Sequence, residues 1–184
     1  MREEEYLEKA PRKIEDLYEE GTEKMDIGEE EEGEEKLQRI LDRDDSFVPA
    51  LNKLAVLRIR QDRKDEARDF LRSALRQDPD FPPALTNMGN IIKEEGNKEK
   101  AVEYYEKAIE LNEEYGPAYN NLGVIKREEG ELKESVKYLK KARKHGTFSF
   151  KSADNPMYKD PGCLVPIAMV VVLIIILFFW VFPG

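Results

Sequence analysis

The sequence predicts an all-α protein, a solenoid of antiparallel helix pairs that is followed by a single C-terminal transmembrane helix. Three observations favour this fold class. A motif recurs with a period of about 34 residues, the apolar residues within each copy follow helical spacing, and a long uncharged run lies near the end of the sequence. Three copies of the motif are clear, and a fourth copy at the N-terminal end is degenerate.

The motif is clearest at residues 82–89, which read Pro-Pro-Ala-Leu-Thr-Asn-Met-Gly. It returns at residues 116–123 and also occurs at residues 48–55, so the three copies are equally spaced. A fixed period of this length indicates stacked helix pairs rather than one globular core. Stacks of this kind present an extended concave surface, and such surfaces bind other proteins.

Each copy is predicted to fold as two helices. In residues 82–115 the first helix is expected at 83–95 and the second at 98–111, with a turn at Gly96 and Asn97. Proline suits the first turn of a helix, and glycine suits its end. The apolar residues recur at steps of three and four, as an amphipathic helix requires. They are Leu85, Met88, Ile91, Ile92, Ala101, Tyr104, Tyr105, Ala108, Ile109 and Leu111.

These residues resemble the tetratricopeptide repeat, whose pattern is a large residue, Leu-Gly, an aliphatic or aromatic residue, Ala, an aromatic residue, Ala and often Pro. The resemblance extends over 14–146. It implies that small residues let the two helices of a repeat approach closely. The matches are Leu51, Leu54, Ala55, Ala67, Leu71, Ala74 and Pro79 in 48–81, Leu85, Met88, Gly89, Ile92, Ala101, Tyr105 and Ala108 in 82–115, and Tyr119, Leu122, Gly123, Leu139 and Ala142 in 116–146, where Ser135 replaces the small Ala.

The N-terminal end is more acidic and less regular. Residues 1–13 are predicted to be a helical extension, frayed over the first ten residues, and residues 14–47 a degenerate repeat that forms a polar cap. Residues 1–47 carry 19 acidic and 8 basic side chains, whereas residues 48–160 carry 20 and 22. The degenerate copy keeps Leu17, Gly21, Gly33, Leu37 and Ile40 but has Glu20 where leucine is expected.

The C-terminal part is predicted to be a linker and a membrane helix. Residues 147–162 follow Gly146 and contain two prolines, which favours a linker, and we expect its aromatic residues to cover the last repeat or lie at the lipid interface. Residues 163–182 carry no charge. As a helix they would span about 30 Å, the thickness of the hydrocarbon core of a bilayer. The alternative is a buried C-terminal helix in an oligomer.

The charges beside this run predict its orientation. The segment 137–151 has six basic residues and no acidic one, namely Lys137, Lys140, Lys141, Arg143, Lys144 and Lys151. Basic residues that flank a membrane segment mark its cytosolic side and attract anionic headgroups. Residues 1–5 do not have the pattern of a signal peptide. We therefore expect a single-pass, tail-anchored protein with its repeats in the cytosol. A solvated helix face is the other interpretation of the basic run.

No catalytic or cofactor site is predicted. The one histidine, His145, lies at a predicted helix C-terminus, where it complements the helix dipole. The single cysteine, Cys163, allows no internal disulfide and no Cys/His zinc set, and stands where either S-acylation or a small apolar residue would fit. Glycine-rich phosphate loops and calcium-loop spacing are also missing. We therefore expect no metal and no cofactor. We also expect no nucleic-acid partner, because the chain is acidic overall.

The resemblance implies that the first helix of each repeat lines the concave face. The side chains expected there are Asn52, Lys53, Asn87, Asn90, Asn120 and Asn121. Asparagine has two donors and an acceptor, so it can bind a peptide backbone without reading its sequence. Asparagine is also ordinary at these positions of the repeat. The basic clamp by which some members bind chaperone tails is absent, because only Asn87 fits its pattern.

The sequence therefore predicts a non-catalytic, membrane-tethered adaptor or scaffold that binds a protein or peptide partner in its concave groove. The alternative is a structural subunit of a membrane complex, whose transmembrane helix packs on partner helices. Nothing in the sequence predicts the oligomeric state.

Overall fold

The computed structural model describes residues 3–146, which form nine α-helices and contain no β-strand. All nine belong to one compact unit. An all-α solenoid of stacked helix pairs is thereby confirmed. The helices are α1 (Glu3–Lys9), α2 (Arg12–Asp26), α3 (Glu30–Leu41), α4 (Val48–Arg60), α5 (Lys64–Gln77), α6 (Pro82–Glu94), α7 (Lys98–Leu111), α8 (Gly116–Glu128) and α9 (Leu132–Lys144).

The repeat period sets where the helices begin. The first helices of the clear repeats, α4, α6 and α8, begin at equal spacing along the chain, and so do the second helices α5, α7 and α9. A proline in the first turn of α4, α6 and α8 suits a helix start, because the missing N–H would be unpaired there anyway. Each pair packs as an antiparallel hairpin, and consecutive pairs stack.

The turn inside each pair requires a left-handed backbone. Gly28, Gly96 and Gly130 have φ of 89°, 90° and 82° there, at equivalent positions of their repeats. Asp62 occupies the same position in the second repeat with φ of 57°, and within residues 3–146 it is the one residue other than glycine in this region. Aspartate tolerates the conformation better than most residues do, which explains why the period survives.

Small residues bring the two helices of each repeat together. A Cβ added at Gly89 would lie 2.7 Å from the Tyr105 ring, and one added at Gly123 would lie 2.8 Å from Leu139. Ser135, which replaces the usual alanine, donates its hydroxyl to the Gly123 carbonyl at 2.8 Å. Apart from a few buried polar residues such as Ser135, the core between the helices is apolar. Its fully buried large side chains include Leu37, Ile40, Leu54, Leu57, Leu71, Phe81, Ile91, Tyr105, Leu122 and Ile125.

The degenerate repeat, α2 and α3, uses glycine on both helices. Gly21 and Gly33 face each other so closely that a Cβ on Gly33 would lie 2.7 Å from the Gly21 carbonyl oxygen. The outer surface of this pair is acidic, as a terminal cap requires. Glu34 on α3 joins the pair to the next repeat, since it accepts hydrogen bonds from Arg58 on α4, one of them at 2.9 Å.

For residues 3–10 the structure differs from the expected fraying, because α1 is packed against the repeats. The Tyr6 ring makes edge contacts with Phe47 and Phe81, at centroid distances of 6.3 and 5.8 Å. The Tyr6 hydroxyl donates to Asp78 at 3.0 Å, and that of Tyr18 donates to Glu3. Helices this short are marginal in water. These tertiary contacts therefore provide the stability that local sequence cannot.

Several predictions concern residues outside the described range. The linker at 147–162, the transmembrane helix at 163–182 and Lys151 all lie beyond residue 146. Within residues 3–146, no helix combines the length and the apolar character that crossing a bilayer would demand.

Candidate functional site

The six residues predicted to bind a partner lie on three adjacent helices, α4, α6 and α8. We call Asn52, Lys53, Asn87, Asn90, Asn120 and Asn121 the asparagine face. Asn52 is 5% exposed, and the other five side chains are partly exposed. Asn87 and Asn90 lie on the opposite side of α6 from Leu85, Met88 and Ile92, given a rotation of about 100° per residue.

Four of the asparagines form hydrogen bonds between neighbouring repeats. The Asn87 amide donates to the Asn52 carbonyl oxygen at 2.9 Å and links α6 to α4. The Asn121 amide donates to the Asn90 carbonyl oxygen at 2.8 Å and links α8 to α6. The Tyr105 hydroxyl also donates to the Asn90 oxygen, at 2.9 Å. Burial raises the pKa of Tyr105, so its phenol stays protonated as this donor.

These bonds divide the face into supporting and available groups. Asn52 is buried, and its hydrogen bond holds the Asn87 side chain in place. Asn90 keeps its side-chain NH₂ group, while Asn87 and Asn121 keep their carbonyl oxygens, for an incoming ligand. Lys53 and Asn120 form no side-chain hydrogen bond within residues 3–146, so their full polar capacity is available. Sequence reasoning placed the asparagines together but could not foresee that some of them bond to one another.

The predicted membrane-facing residues lie on α9. Lys137, Lys140, Lys141, Arg143 and Lys144 are all exposed. Two of the five have intramolecular partners, since Lys137 pairs with Glu134 at 3.0 Å and Lys141 lies 4.9 Å from the centroid of the Tyr119 ring. The remaining three form no ion pair in the described part of the chain, which leaves a basic strip on this helix.

His145 and the acidic residues of α3 make contacts that stabilise the fold. His145 caps the C-terminus of α9 and stacks on Tyr119 at a centroid distance of 6.0 Å. Within residues 3–146, no cluster of three or more His, Cys, Asp and Glu residues has the geometry of a metal site. The acidic residues of α3 instead serve ion pairs with Lys24, Arg39, Arg58 and Arg60.

The sequence analysis missed a groove on the other side of α6. The groove lies between α5 and α7 and contains two cavities of about 400 and 520 Å³, which share Leu75, Lys100 and Tyr104 as lining residues. Arg68, Arg72 and Arg76 lie along one side, at successive turns of α5. A comparison of equivalent positions in successive repeats would have revealed it, because the acidic residues of the preceding repeat are replaced by basic residues in this groove.

Comparison with known proteins assigns the family. Three models described as tetratricopeptide repeat match the chain, over residues 18–82, 82–115 and 116–142. The chain belongs to the tetratricopeptide repeat family. The matches leave few residues of α2 to α9 uncovered, so the assignment includes the degenerate first repeat. A search of curated protein sequences gave no match.

Solved tetratricopeptide-like structures resemble the described stack. A crystal structure of MamA is 29% identical, with a TM-score of 0.56 over 78% of this chain and 84% of that chain. PilF from Pseudomonas aeruginosa is 22% identical, with a TM-score of 0.64 over 74% of this chain and 62% of that chain, and shows the shared fold alone. An O-GlcNAc transferase mutant from Thermobaculum terrenum is 25% identical, with a TM-score of 0.58, but the match covers 62% of this chain and 22% of that chain. The last likeness therefore concerns the repeats and carries no activity across.

Proposed function

We propose that this protein is a non-catalytic, membrane-tethered adaptor that holds a protein or peptide partner against the asparagine face. Tetratricopeptide repeats in general form protein-interaction scaffolds, and the described residues build such a scaffold. The repeats would stand on the cytosolic side of the membrane, with the segment 163–182 as the anchor.

The row of inter-repeat asparagine bonds is the observation that carries the proposal. Because Asn87 and Asn121 are held by bonds of 2.9 and 2.8 Å, their free carbonyl oxygens point from fixed positions. Binding then costs less side-chain conformational entropy than it would at mobile side chains. Alternating donors and acceptors along three helices suit the backbone of an extended peptide.

The proposed membrane attachment is supported by the sequence and by the charge of α9. Residues 163–182 are uncharged and long enough to cross a bilayer as a helix. Lys140, Arg143 and Lys144 are exposed on α9, the last helix of the described part, where they would attract anionic headgroups. Tethering raises the local concentration of whatever the repeats hold at the membrane surface.

Proximity labelling in the native host tests the partner surface. The variant Lys53→Ala with Asn120→Ala removes two polar groups that form no side-chain hydrogen bond within residues 3–146, so the repeats should stay folded. We expect it to lose the neighbours that the intact chain labels. A matched control, Lys13→Ala with Gln77→Ala, changes two exposed residues elsewhere and should label as the intact chain does. Identical labelling by both variants would contradict the proposal.

The tail is tested separately by replacing residues 163–182 with an unrelated membrane anchor. An adaptor whose partner binds the repeats keeps its neighbours after this exchange. A structural subunit whose membrane helix packs on partner helices loses them, while the asparagine-face variant leaves them unchanged.

A further inference from the structure

The groove between α5 and α7 is the second surface of interest. We call Arg68, Arg72, Leu75, Met88, Ile92, Lys100 and Tyr104 the middle groove. Its floor is apolar, with Met88 and Ile92 at the base and Leu75 and Tyr104 on the walls. Basic side chains outnumber acidic ones in the lining, where Glu95 and Glu103 are the acidic residues, although the whole chain carries a net charge of −9.

The equivalent groove one repeat earlier is closed by an ion-pair cluster. Arg58, which holds the position of Ile92 in that repeat, is 7% exposed and lies over the Phe70 ring at 6.0 Å. It donates hydrogen bonds to Glu34 at 2.9 Å, to Glu66 at 3.2 Å and to Gln61 at 3.2 Å. A central cation between two acidic rims therefore fills the first groove from within the chain.

The equivalent groove one repeat later is also occupied. Lys126, which holds the position of Ile92 in this later repeat, donates to Glu129 at 2.9 Å and to Glu131 at 3.3 Å. Lys141 covers the Tyr119 ring, which occupies the position of Leu85 in this repeat. Polar side chains of the chain itself thus satisfy one another at this site too.

The middle groove has the reverse pattern and no such closure. Arg68 and Lys100 stand where Glu34 and Glu66 stand one repeat earlier, and Ile92 replaces the central arginine. Arg68 pairs with Glu95, and Arg72 has a single contact with Asp69 at 3.6 Å while its side chain stays 60% exposed. Lys100 forms no ion pair within residues 3–146. Glu95 and Asp69 are thus the acidic partners of the two arginines, and within residues 3–146 no acidic side chain pairs with the lysine on the other rim.

We propose that the middle groove binds an acidic amphipathic helix of a partner protein. Aliphatic residues of that helix would cover Leu75, Met88 and Tyr104. Its carboxylates would lie between the basic rims, in the place that the Arg58 guanidinium has between its two glutamates one repeat earlier, with the charges reversed. Charge complementarity of this kind sets specificity and association rate. This surface lies on the opposite side of α6 from the asparagine face, so the protein has two independent binding surfaces.

Fluorescence anisotropy with a designed probe tests the proposal. The probe is a labelled helical peptide of about 14 residues, with leucine at steps of three and four and glutamate elsewhere. The full chain is held in nanodiscs of zwitterionic lipid, with empty nanodiscs as the blank. We expect saturable binding that weakens as salt is raised. A peptide with lysine in place of every glutamate should not bind.

Substitution of two exposed residues tests where on the protein the probe binds. Arg72→Glu with Lys100→Glu turns attraction into repulsion and should weaken binding by about tenfold or more. The control Arg127→Glu with Lys133→Glu makes the same change of charge on exposed residues of α8 and α9 and should leave affinity unchanged. Equal weakening in both pairs would mean nonspecific attraction and would overturn the proposal. Loss of binding in Lys53→Ala with Asn120→Ala, but not in the groove variant, would also overturn it.

A sharper test transfers the residues of the first groove to the equivalent positions of the middle groove. Arg68→Glu, Ile92→Arg, Glu95→Gln and Lys100→Glu copy the residues of the first groove into the middle one. The grafted chain should keep its helical circular dichroism, because the same set packs one repeat earlier, and should no longer bind the probe. A folded graft that still binds would overturn the proposal. If the unmodified chain self-associates and the graft is monomeric, the occupant is a second copy and a separate partner is ruled out.

Discussion

Single residues decide how closely the two helices of a repeat approach. Gly89 faces the buried ring of Tyr105, and Gly123 faces Leu139. The same register in the second repeat holds Ala55 and Leu71, both fully buried. Compared with Gly89 and Tyr105, this pair has a larger residue on the first helix and a smaller residue on the second, although both pairs satisfy the same repeat pattern.

Gly89→Ala should destabilise the protein by about 1 kcal/mol, because the new Cβ would lie 2.7 Å from the Tyr105 ring, which is fully buried and cannot swing aside. Overpacking costs about 1–3 kcal/mol, which outweighs the gain in helix propensity of up to about 1 kcal/mol. Urea unfolding followed by circular dichroism measures the change.

A double substitution provides the control. Gly89→Ala combined with Tyr105→Leu reproduces the pair found at Ala55 and Leu71, so the cost of the alanine should shrink in this background. The two substitutions should therefore couple by about 0.5 kcal/mol or more in a double-mutant cycle. Additive effects would show that the close contact with the ring is not the cause.

At the scale of elements, ion pairs attach the degenerate repeat to the rest of the stack. Arg58 on α4 binds Glu34 on α3 and Glu66 on α5, so three helices meet at one buried guanidinium. Hydrogen bonds from Arg58 hold the pKa of Glu34 below its usual range. A depressed carboxylate pKa stabilises the fold above the unfolded value of about 4.3, and this contribution is lost as pH falls through the folded value.

Glu34→Gln should therefore reduce the pH sensitivity of the fold on the acid side. We expect the drop in melting temperature between pH 7 and pH 3 to be smaller in this variant than in the unmodified chain. Glu35→Gln is the matched control, since Glu35 is adjacent but pairs with Arg39 on the exposed side of α3. A full acid drop in Glu34→Gln would mean that other carboxylates dominate.

Helix α1 shows the same dependence on tertiary contact. It contains no buried residue of its own, yet Tyr6 lies against Phe47 and Phe81, each of which directly precedes the first helix of a repeat. Glu3 and Tyr115 line a cavity of about 320 Å³ at the next such position along the stack. The extension therefore follows one edge of the repeats, which the local sequence of this short helix does not reveal.

At the scale of the whole molecule, the repeats carry their own core. Within residues 3–146, the buried apolar side chains extend from Ile14 to Ala142. The described part has four exposed large apolar side chains. Ile27 and Leu111 lie far apart along the chain, whereas Leu132 and Val136 lie one turn apart on α9. The stack should thus be stable without the apolar segment 163–182.

Deletion of residues 163–184 should leave a soluble, folded helical protein. Size-exclusion chromatography and circular dichroism measure this directly. A chain that ends before Leu132 is the contrasting case, because removal of α9 uncovers Tyr119 and Leu122 and should lower the stability of the last repeat. If the first truncation is molten or aggregated, the segment belongs to the core, and the anchor proposal fails.

Much of this architecture could be predicted from the sequence because it is local and periodic. The helices were predicted from residues a few positions apart, namely from the apolar spacing, the prolines of α4, α6 and α8, and the turn glycines. The same pattern occurs in each copy of the repeat. The prediction was weakest where a residue departs from the pattern. Asp62, for example, takes the left-handed turn position that glycine holds in the other repeats.

The sequence by itself determined the number of helix pairs, the bounds of α6 and α7 to within one residue, and the side of α6 on which the asparagines lie. Only the tertiary structure decided which side chains bond to one another, as with Asn87 to Asn52, Arg58 to Glu34 and Tyr6 to Asp78. These contacts join residues that are far apart along the chain. The physical reason is that stacking brings equivalent positions of neighbouring repeats together, so whether a groove closes depends on pairs of repeats and not on any one of them.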